Sequence, residues 1–391
     1  MIRVKEIREH LVGDIIPFWQ RMKDEEHGGY YGEMDFDLKL FKKADKGCIL
    51  NSRILWFFSN AYLTLGDKEC LACAGHAWEF LRDCFYDKEN GGVFWSVTYD
   101  GRPSDDMKHT YCQAFAVYGL SSYYAASGER EALSLAYSLA DKMESKCRDE
   151  GGYLEAFDRN FSPAPNEKLS ENGVMAGRTM NTLLHVLEAY TELYRVDRKE
   201  FIGNKIRWML ELFAKKVYHP GRRRLEVFFD LEMNSLIDLN SYGHDIEAAW
   251  LLDRSTQVLQ DPVYTALIRP VTMDLTDHIH SVAMDTDSLN NECEEGRVDT
   301  RKVWWVQAEA VLGFLNGYEK KPDRVDYLES AGRIWDYIKT RVIDPRPGSE
   351  WFNELYRDGT PIKTKELAGP WKCPYHNGRM CFEVINKGIQ F

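Results

Sequence analysis

The sequence has no long apolar segment and no run of basic residues. No stretch approaches the roughly 18 uncharged apolar residues that mark a membrane-spanning helix. Its 62 acidic residues outnumber 50 Lys and Arg, giving a net charge of −12, which argues against nucleic acid or a membrane as a partner. The N-terminal segment carries charges throughout a helical pattern, which is atypical of a signal or transit peptide.

The sequence also lacks the motifs of several large enzyme classes. It contains no H-E-x-x-H and no Cys/His cluster, so we expect no metal site. It contains no G-x-S-x-G, no P-loop and no G-x-G-x-x-G after a strand, which are the motifs of nucleophilic, phosphoryl and dinucleotide chemistry.

Cysteine is present but is not arranged for disulfides. The nine cysteines are scattered, and the C-x-x-C pair Cys70 and Cys73 lies in an Ala-rich helical pattern without the βαβ context of a redox site. We therefore expect buried free thiols and a cytoplasmic location.

A repeat of roughly 60 to 70 residues runs along the chain. Segments with the character of β-hairpins, mostly Gly-rich and aromatic, begin at Gly28, Gly91, Gly151, Arg222, Asp287 and Gly348. Between them, apolar residues recur with helical spacing over 4–22, 46–66, 69–85, 108–127, 129–147, 177–195, 198–216, 243–259, 262–284, 302–319, 324–343 and 375–387.

Twelve helices in six pairs predict an all-α fold, an (α/α)6 barrel with six inner and six outer helices. Each pair buries one face only by stacking on its neighbours, and closure into a ring satisfies all six pairs. We expect short β-hairpins on one rim and a single domain over residues 1–391. Because the barrel already buries its helices, we expect a monomer.

Unusual polar and aromatic residues concentrate at the starts of the helices that follow the hairpins, which are the candidates for the inner ring. Six helix N-termini would converge on one end of the barrel, where their dipoles favour negative charge. The residues concerned are Arg53, Tyr111, Asn181, His185, His244, Glu247, Trp304, Trp305, Gln307, Glu309, His376 and Arg379.

Two spacings in this set favour an active site. His244 and Glu247 are three apart on one helix, so the carboxylate can fix the tautomer of the imidazole, although a buried structural pair would have the same spacing. Asn181 and His185 are four apart and share a face, and a packed inner helix with one satisfied histidine is the alternative.

Arg53 and a Trp pair have two interpretations each. Buried Arg53 requires a partner, either an ion pair with Glu309 or Glu247 or a developing oxyanion, and we favour the oxyanion. Adjacent Trp304 and Trp305 cannot face the same way on a helix, so at least one should be structural.

A cavity lined by His, Arg and Trp would suit two reactions on a sugar. Glycoside cleavage requires two carboxylic acids about 5 to 9 Å apart. Glu247 and Glu309 are candidates for these two acids, so this reaction remains an alternative. Proton transfer at carbon requires one or two bases of near-neutral pKa and an oxyanion donor, and imidazole matches this requirement.

Several segments resemble the N-acylglucosamine 2-epimerase superfamily and, within it, the cellobiose 2-epimerases most of all. They are KADKGCILNSRILW, MKHTY, SYGHDIEAAWLLDRS, WWVQAEAV and GPWKCPYHNGRM, and the resemblance covers essentially the whole chain. It implies an (α/α)6 barrel that epimerises C2 of the reducing-end glucose of β-1,4-linked disaccharides without metal or cofactor. Cellobiose would become 4-O-β-glucosyl-mannose, and lactose would become epilactose.

The resemblance also implies roles for single residues. His244 and His376 correspond to the acid/base pair, and His185 to a third histidine that assists ring opening or binds the substrate. Arg53 corresponds to the donor to the oxygens on C1 and C2, and Glu247 to the partner of His244. We group as substrate-binding residues Tyr111, Asn181, Trp304, Glu309 and Trp371, with Trp371 walling the second sugar.

Other activities remain as alternatives. Relatives within the superfamily isomerise mannose, or epimerise mannose or N-acylglucosamine, with the same core residues. A glycoside hydrolase on the same fold and a non-catalytic sugar-binding protein are further alternatives.

Overall fold

The computed structural model describes residues 2–169, 172–389 and 391, and within them the helices form two concentric rings. The inner ring contains α3 (Cys48–Leu65), α5 (Thr110–Ser127), α7 (Met180–Val196), α9 (Tyr242–Leu259), α11 (Trp304–Lys320) and α13 (His376–Lys387). The outer ring contains α1 (Ile2–His10) continued by α2 (Ile16–Arg21), α4 (Lys68–Phe80), α6 (Arg130–Lys142), α8 (Glu200–Leu212), α10 (Pro262–Val282) and α12 (Val325–Tyr337).

Most of the outer helices contain a short π-helical turn. Helices α4, α6, α8 and α12 each end in one, and a similar turn joins α1 to α2 into one continuous rod. The five turns are Leu11–Ile15, Leu81–Phe85, Met143–Cys147, Phe213–Val217 and Ile338–Val342.

The two rings differ in how their helices are buried. The inner helix α5 is buried at every position from Thr110 to Ser122, whereas α6 buries only the stripe that faces inward. Glycines let inner helices pack closely: a Cβ at Gly119 would lie 2.6 Å from the carbonyl oxygen of Ser52 on α3. A Cβ at Gly313 of α11 would likewise lie 2.8 Å from the carbonyl oxygen of Ile246 on α9.

The ring closes between the two ends of the chain. Each inner helix contacts the next, and α13 contacts α3. Each inner helix also packs on the outer helix that follows it, except that α13, which no outer helix follows, packs on α1. The prediction of an (α/α)6 barrel with twelve helical rods is therefore confirmed.

Short strands cover the rim at which the inner helices begin. Hairpins form within the predicted segments, as Ser96–Val97 with Pro103–Asp105 and Glu292–Glu294 with Arg297–Asp299. The sequence did not predict a second set of pairs, which joins each repeat to the next. They pair Lys46–Gly47 with Ser96–Val97, Lys108–His109 with Ala156–Phe157, Arg178–Thr179 with Phe228–Phe229, Leu239–Ser241 with Glu292–Glu294, Lys302–Val303 with Glu354–Leu355, and Met34 with Ala368.

Ion pairs with a buried cation anchor the starts of several inner helices. In each, a cation just before the helix pairs with an Asp that precedes the turn of the same repeat. These pairs are Lys46–Asp24 at 2.7 Å, Lys108–Asp87 at 3.0 Å, Arg178–Asp149 at 2.7 Å and Lys302–Asp285 at 3.0 Å.

Two further expectations concern the whole chain. All nine cysteines are free thiols, as the sequence predicted, and seven of them are buried, whereas Cys84 and Cys293 are only partly buried. Of the described helices, none is long and apolar enough to cross a membrane.

Candidate active site

A cavity of about 460 Å³ opens at the rim where the inner helices begin. This volume lies in the range of about 300 to 1,000 Å³ that is usual for small-ligand sites. The sequence-predicted site residues that line it are Arg53, Tyr111, Asn181, His185, His244, Glu247, Trp304, Trp371 and His376. Nine of the ten sequence-predicted site residues therefore line one cavity, and the exception is Glu309.

His244 and His376 lie against the same indole ring. The centroid of the Trp305 ring is 4.8 Å from that of His244 and 5.3 Å from that of His376. Trp304 meets His376 edge-on at 5.5 Å. Both indoles line the cavity, so the expectation that one of the pair would be structural is wrong. Both residues lie in the first turn of α11 at the open end of the barrel. There, side chains that leave the helix in different directions can both reach the cavity.

A carboxylate supports His376 from behind. Nδ1 of His376 lies 2.7 Å from Oε1 of Glu309, and Glu309 also accepts hydrogen bonds from Trp250 at 2.8 Å and from Arg379 at 2.7 Å. Glu309 is fully buried and does not line the cavity. Its prediction as a substrate contact is therefore wrong, because it lies beneath His376 and its oxygens are occupied.

His244 has a different partner from the one expected. Its Nδ1 lies 2.7 Å from Oγ of Ser241, the residue that precedes α9. Glu247 instead accepts a hydrogen bond from Arg379, and its Oε1 lies 3.8 Å from Nδ1 of His376. The predicted His244–Glu247 pair is wrong, because a spacing of three permits contact on a helix without directing both side chains to each other.

His185 pairs with a carboxylate that the sequence analysis missed. Its Nδ1 lies 2.8 Å from Oε2 of Glu188, which also accepts a hydrogen bond from Tyr375. The signal was available, since Glu188 follows His185 at the same spacing that drew attention to His244. Asn181 lines the cavity, and its buried Oδ1 has no hydrogen-bond partner among the described residues.

Arg379 connects these acids. Its guanidinium donates to Glu188, Glu247 and Glu309, which places one cation among three carboxylates at the base of the cavity. The sequence marked Arg379 as an unusual residue at a helix start but predicted no role for it. Its three-residue spacing from His376 was the available signal.

Arg53 has no such acidic surroundings. It donates to the hydroxyl of Tyr111 at 2.9 Å and to Sγ of Cys373 at 3.6 Å. Its guanidinium lies 4.1 Å from the ring centroid of Phe115 and 4.6 Å from that of Tyr375. Among the described residues no carboxylate forms an ion pair with it, so the structural ion-pair alternative is wrong. A buried cation without a carboxylate is suited to an anion that forms in the cavity.

Burial sets the charge states of the histidines. Desolvation, with a smaller contribution from His185, lowers the pKa of His244 to about 3. Desolvation and the charge of Arg379 hold the pKa of His376 well below its usual value, and desolvation also lowers the pKa of His185. All three imidazoles are therefore neutral near pH 7, which is the form that accepts a proton.

The supporting acids differ in their protonation. Burial and the neighbouring Glu309 raise the pKa of Glu247 to about 8, and burial also raises the pKa of Glu309, against the effect of Arg379. Burial opposes ionisation of Glu188 as well, yet the charge of Arg379 and the hydrogen bond from His185 hold its pKa well below the usual range. Arg379 thus favours the ionised form of Glu188, but it does not offset the effect of burial on Glu247 and Glu309.

One group in the described part of the chain has ligand atoms close enough for a metal. Oxygen atoms of Glu247 and Glu309 and a nitrogen of His376 lie within 4.8 Å of one another. Arg379 donates to both carboxylates. The guanidinium therefore already supplies the positive charge that this acidic pair needs.

Comparison with known proteins points to one family. The family N-acylglucosamine 2-epimerase (GlcNAc 2-epimerase) matches residues 29–378. A protein named cellobiose 2-epimerase from Ruminococcus albus is 50% identical over 386 residues, which cover 99% of each chain. The crystal structure of a sugar epimerase from a ruminal bacterium superposes with a TM-score of 0.98 at 49% identity over 100% of both chains. The structure of cellobiose 2-epimerase from Bacillus thermoamylovorans superposes with a TM-score of 0.94 at 46% identity over 99% of both. The chain described here belongs to the N-acylglucosamine 2-epimerase family.

Proposed function

We propose that the protein reversibly epimerises C2 of the reducing-end glucose of β-1,4-linked disaccharides. Cellobiose would become 4-O-β-glucosyl-mannose, and lactose would become epilactose. The observation that carries the proposal is the pair of neutral imidazoles, His244 and His376, against one indole in a cavity that also holds Arg53, which forms no ion pair with any described carboxylate. The relatives named cellobiose 2-epimerase support the choice of a disaccharide.

The first step would open the pyranose ring to the free aldehyde. This step moves a proton from the C1 hydroxyl and delivers one to the ring oxygen. His185 lines the cavity and has a carboxylate on its Nδ1, which leaves Nε2 available to the sugar. We assign it this proton transfer, with Tyr111 and Asn181 holding sugar hydroxyls.

The second step would remove the proton from C2. One imidazole takes it, and the electron pair forms a cis-enediolate whose negative charge lies on the C1 and C2 oxygens. Arg53 and the N-termini of the inner helices would stabilise that charge, since both present positive potential to the cavity. The other imidazole takes up a proton from solvent beside this anion and passes it to the opposite face of C2, while the first imidazolium releases the abstracted proton to solvent, which completes the inversion and returns both rings to the neutral form. Rotation about the C2–C3 bond is the alternative with a single base.

The partners of the two histidines fit this assignment. Glu309 accepts a hydrogen bond from Nδ1 of His376, so that Nε2 of His376 carries the free electron pair. The Ser241 hydroxyl at Nδ1 of His244 can donate or accept, so it is compatible with both protonation states of that ring. We assign no cofactor or metal to the reaction, because proton transfer at this carbon needs only these groups.

The remaining alternatives differ in what the cavity must supply. A glycoside hydrolase requires two acids that reach the sugar, and the position of Glu309 beneath His376 argues against it. Isomerisation of mannose, and epimerisation of mannose or N-acylglucosamine, depend on the region of the cavity around Trp371. We favour the disaccharide because the exposed indole of Trp371 offers a surface for a second sugar.

Three further proposals concern the whole protein. We propose that residues 1–391 form one domain, since the ring of helices is completed by contact between α13 and α1. We propose a monomer, because the barrel buries its own helices. We propose a cytoplasmic location, which the nine free thiols favour.

Proton NMR in D2O tests the proposed function. The purified protein would be incubated with cellobiose and EDTA. Glucosyl-mannose carrying deuterium at C2 is the expected product. Free glucose would instead identify a hydrolase, and an unchanged cellobiose spectrum would refute the disaccharide assignment and direct the assay to mannose and N-acylglucosamine.

A further inference from the structure

Glu350 is a buried acid next to the active site that the proposed reaction does not use. Its residue exposure is 1%. Its carboxylate accepts hydrogen bonds from Lys372 Nζ, from Asn377 Nδ2, from the backbone N–H of Trp351 at 2.6 Å, and from the indole N–H of Trp19 at 3.3 Å. Both oxygens are therefore fully engaged, two donors to each.

Two of these donors bracket His376 in the sequence. Asn377 follows it directly in the first turn of α13, and Lys372 lies in the irregular segment 369–375 that leads into the helix. Both side chains are fully buried. One carboxylate thus holds the chain on both sides of the proposed catalytic histidine.

Lys372 also supports the indole that contacts His376. Its ammonium nitrogen lies 4.2 Å from the ring centroid of Trp304, and Trp304 meets His376 edge-on. The same segment carries Trp371 at the cavity and Cys373 against Arg53. Displacement of this segment would therefore shift several groups that surround the substrate.

The sixth repeat departs from the ion-pair pattern that precedes α3, α5, α7 and α11. In the first repeat, Asp24 precedes the turn and pairs with Lys46. In the sixth, Asp344 holds the corresponding position but pairs with Arg346, and Lys372 pairs with Glu350 instead. Asp24 accepts from Lys46 and from backbone N–H groups of its own turn, whereas Glu350 reaches a side chain of the inner helix.

We infer that Glu350 is a positioning residue for His376 in the proposed epimerisation, and this inference rests on the proposed function. The carboxylate fixes the segment 369–375 relative to the first turn of α13. The imidazole between them then meets one face of C2 in a constant position. Misplacement of a catalytic group by about 1 Å can cost about 100-fold in rate.

The test compares Glu350→Gln with Asp24→Asn as a matched control. Each variant removes one negative charge from a lysine–carboxylate pair whose two side chains are fully buried, so a general loss of stability affects both. The experiment measures, in D2O and separately for each epimer, deuterium exchange at C2 and inversion at C2. A loss of folded protein lowers exchange and inversion in the same proportion.

A misplaced His376 would give a different pattern. His244 would still exchange the proton on its own face, so one epimer would exchange without inverting. For Glu350→Gln we expect inversion to fall by about 100-fold and the exchange-to-inversion ratio of that epimer to rise by about tenfold or more. For Asp24→Asn we expect the wild-type ratio for both epimers. A wild-type ratio in Glu350→Gln would overturn the inference.

Asn377→Ala covers the case in which Glu350→Gln does not fold. It keeps the Glu350–Lys372 ion pair and removes the link from Glu350 to the first turn of α13, together with the hydrogen bond that Asn377 Oδ1 accepts from the backbone N–H of Gly378 at 2.9 Å. We expect the same one-sided rise in the exchange-to-inversion ratio, and the wild-type ratio in this variant would also contradict the inference. The wild-type protein in the same assay tests the proposed function separately, since failure of that proposal would leave cellobiose neither exchanged nor inverted.

Discussion

His244 and His376 face one indole but have different surroundings. His376 is buried, and its Nδ1 pairs with the carboxylate of Glu309, which Arg379 and Trp250 also hold. His244 is only partly buried, and its Nδ1 pairs with the hydroxyl of Ser241. The difference indicates that the two proposed bases are not equivalent: a carboxylate at Nδ1 favours one tautomer and orientation of His376, and the hydroxyl beside His244 can adapt to either proton position.

Removal of either imidazole should have the largest effect. A general acid or base contributes about 10² to 10⁴-fold to rate, so we expect His244→Ala and His376→Ala each to lose about 10³-fold or more in C2 inversion. In D2O, each variant should still exchange the C2 proton of one epimer, namely the epimer whose C2 proton faces the remaining histidine. Near-wild-type inversion in both variants would contradict the two-histidine scheme, and circular dichroism would verify that both remain folded.

Loss of the carboxylate behind His376 should come next. Glu309→Gln places an amide at Nδ1 and permits the wrong tautomer, so we expect kcat to fall by about 100-fold. KM should change little, because Glu309 does not line the cavity. If KM rose while kcat stayed constant, Glu309 would be a substrate contact after all.

Loss of the hydroxyl next to His244 should matter much less. Ser241→Ala removes one neutral hydrogen bond of about 1 kcal/mol, and we expect inversion to fall by about three- to tenfold. Steady-state rates measured beside those of Glu309→Gln test the contrast. Equal losses in the two variants would mean that the two histidines depend on their partners to the same degree.

The last effect is on stability rather than on rate, and it depends on pH. The folded protein holds the pKa of His244 at about 3, below the value of about 6.5 in the unfolded chain. The part of the free energy of unfolding that depends on neutral His244 is fully present above pH 6.5. It is lost as pH falls from there toward 3, because the unfolded chain binds the proton first.

Urea unfolding of the wild type and His244→Asn between pH 7.5 and pH 4.5 measures this loss. The difference in free energy of unfolding between the two proteins should change by up to about 1.4 kcal/mol per pH unit below pH 6.5, with the wild type losing stability relative to the variant. A pH-independent difference would show that His244 titrates normally in the folded protein.

The residues that the sequence missed share one property. Glu188, Arg379 and Glu350 each have contacts with residues far away in the chain, as in the pairing of Arg379 with Glu188 and Glu247, although Glu188 also pairs with His185 on its own helix. Helical spacing identifies neighbours on one helix, but the inner helices bring six separate segments to one cavity. The wrong pairing of His244 with Glu247 has a related origin, since Glu247 pairs with Arg379 of another inner helix, and His244 pairs instead with Ser241 just before its own helix.

The sequence by itself determined the helices, their pairing into six repeats and nine of the residues that line the cavity. These follow from local periodicity and from the concentration of polar residues at inner-helix starts, which the chain carries in each repeat separately. Only the tertiary structure decided which acid serves which histidine, that Trp304 and Trp305 both reach the cavity, and that α13 completes the ring on α1. Those outcomes depend on distances between segments that are remote in sequence, and burial decides the charge that each group carries there.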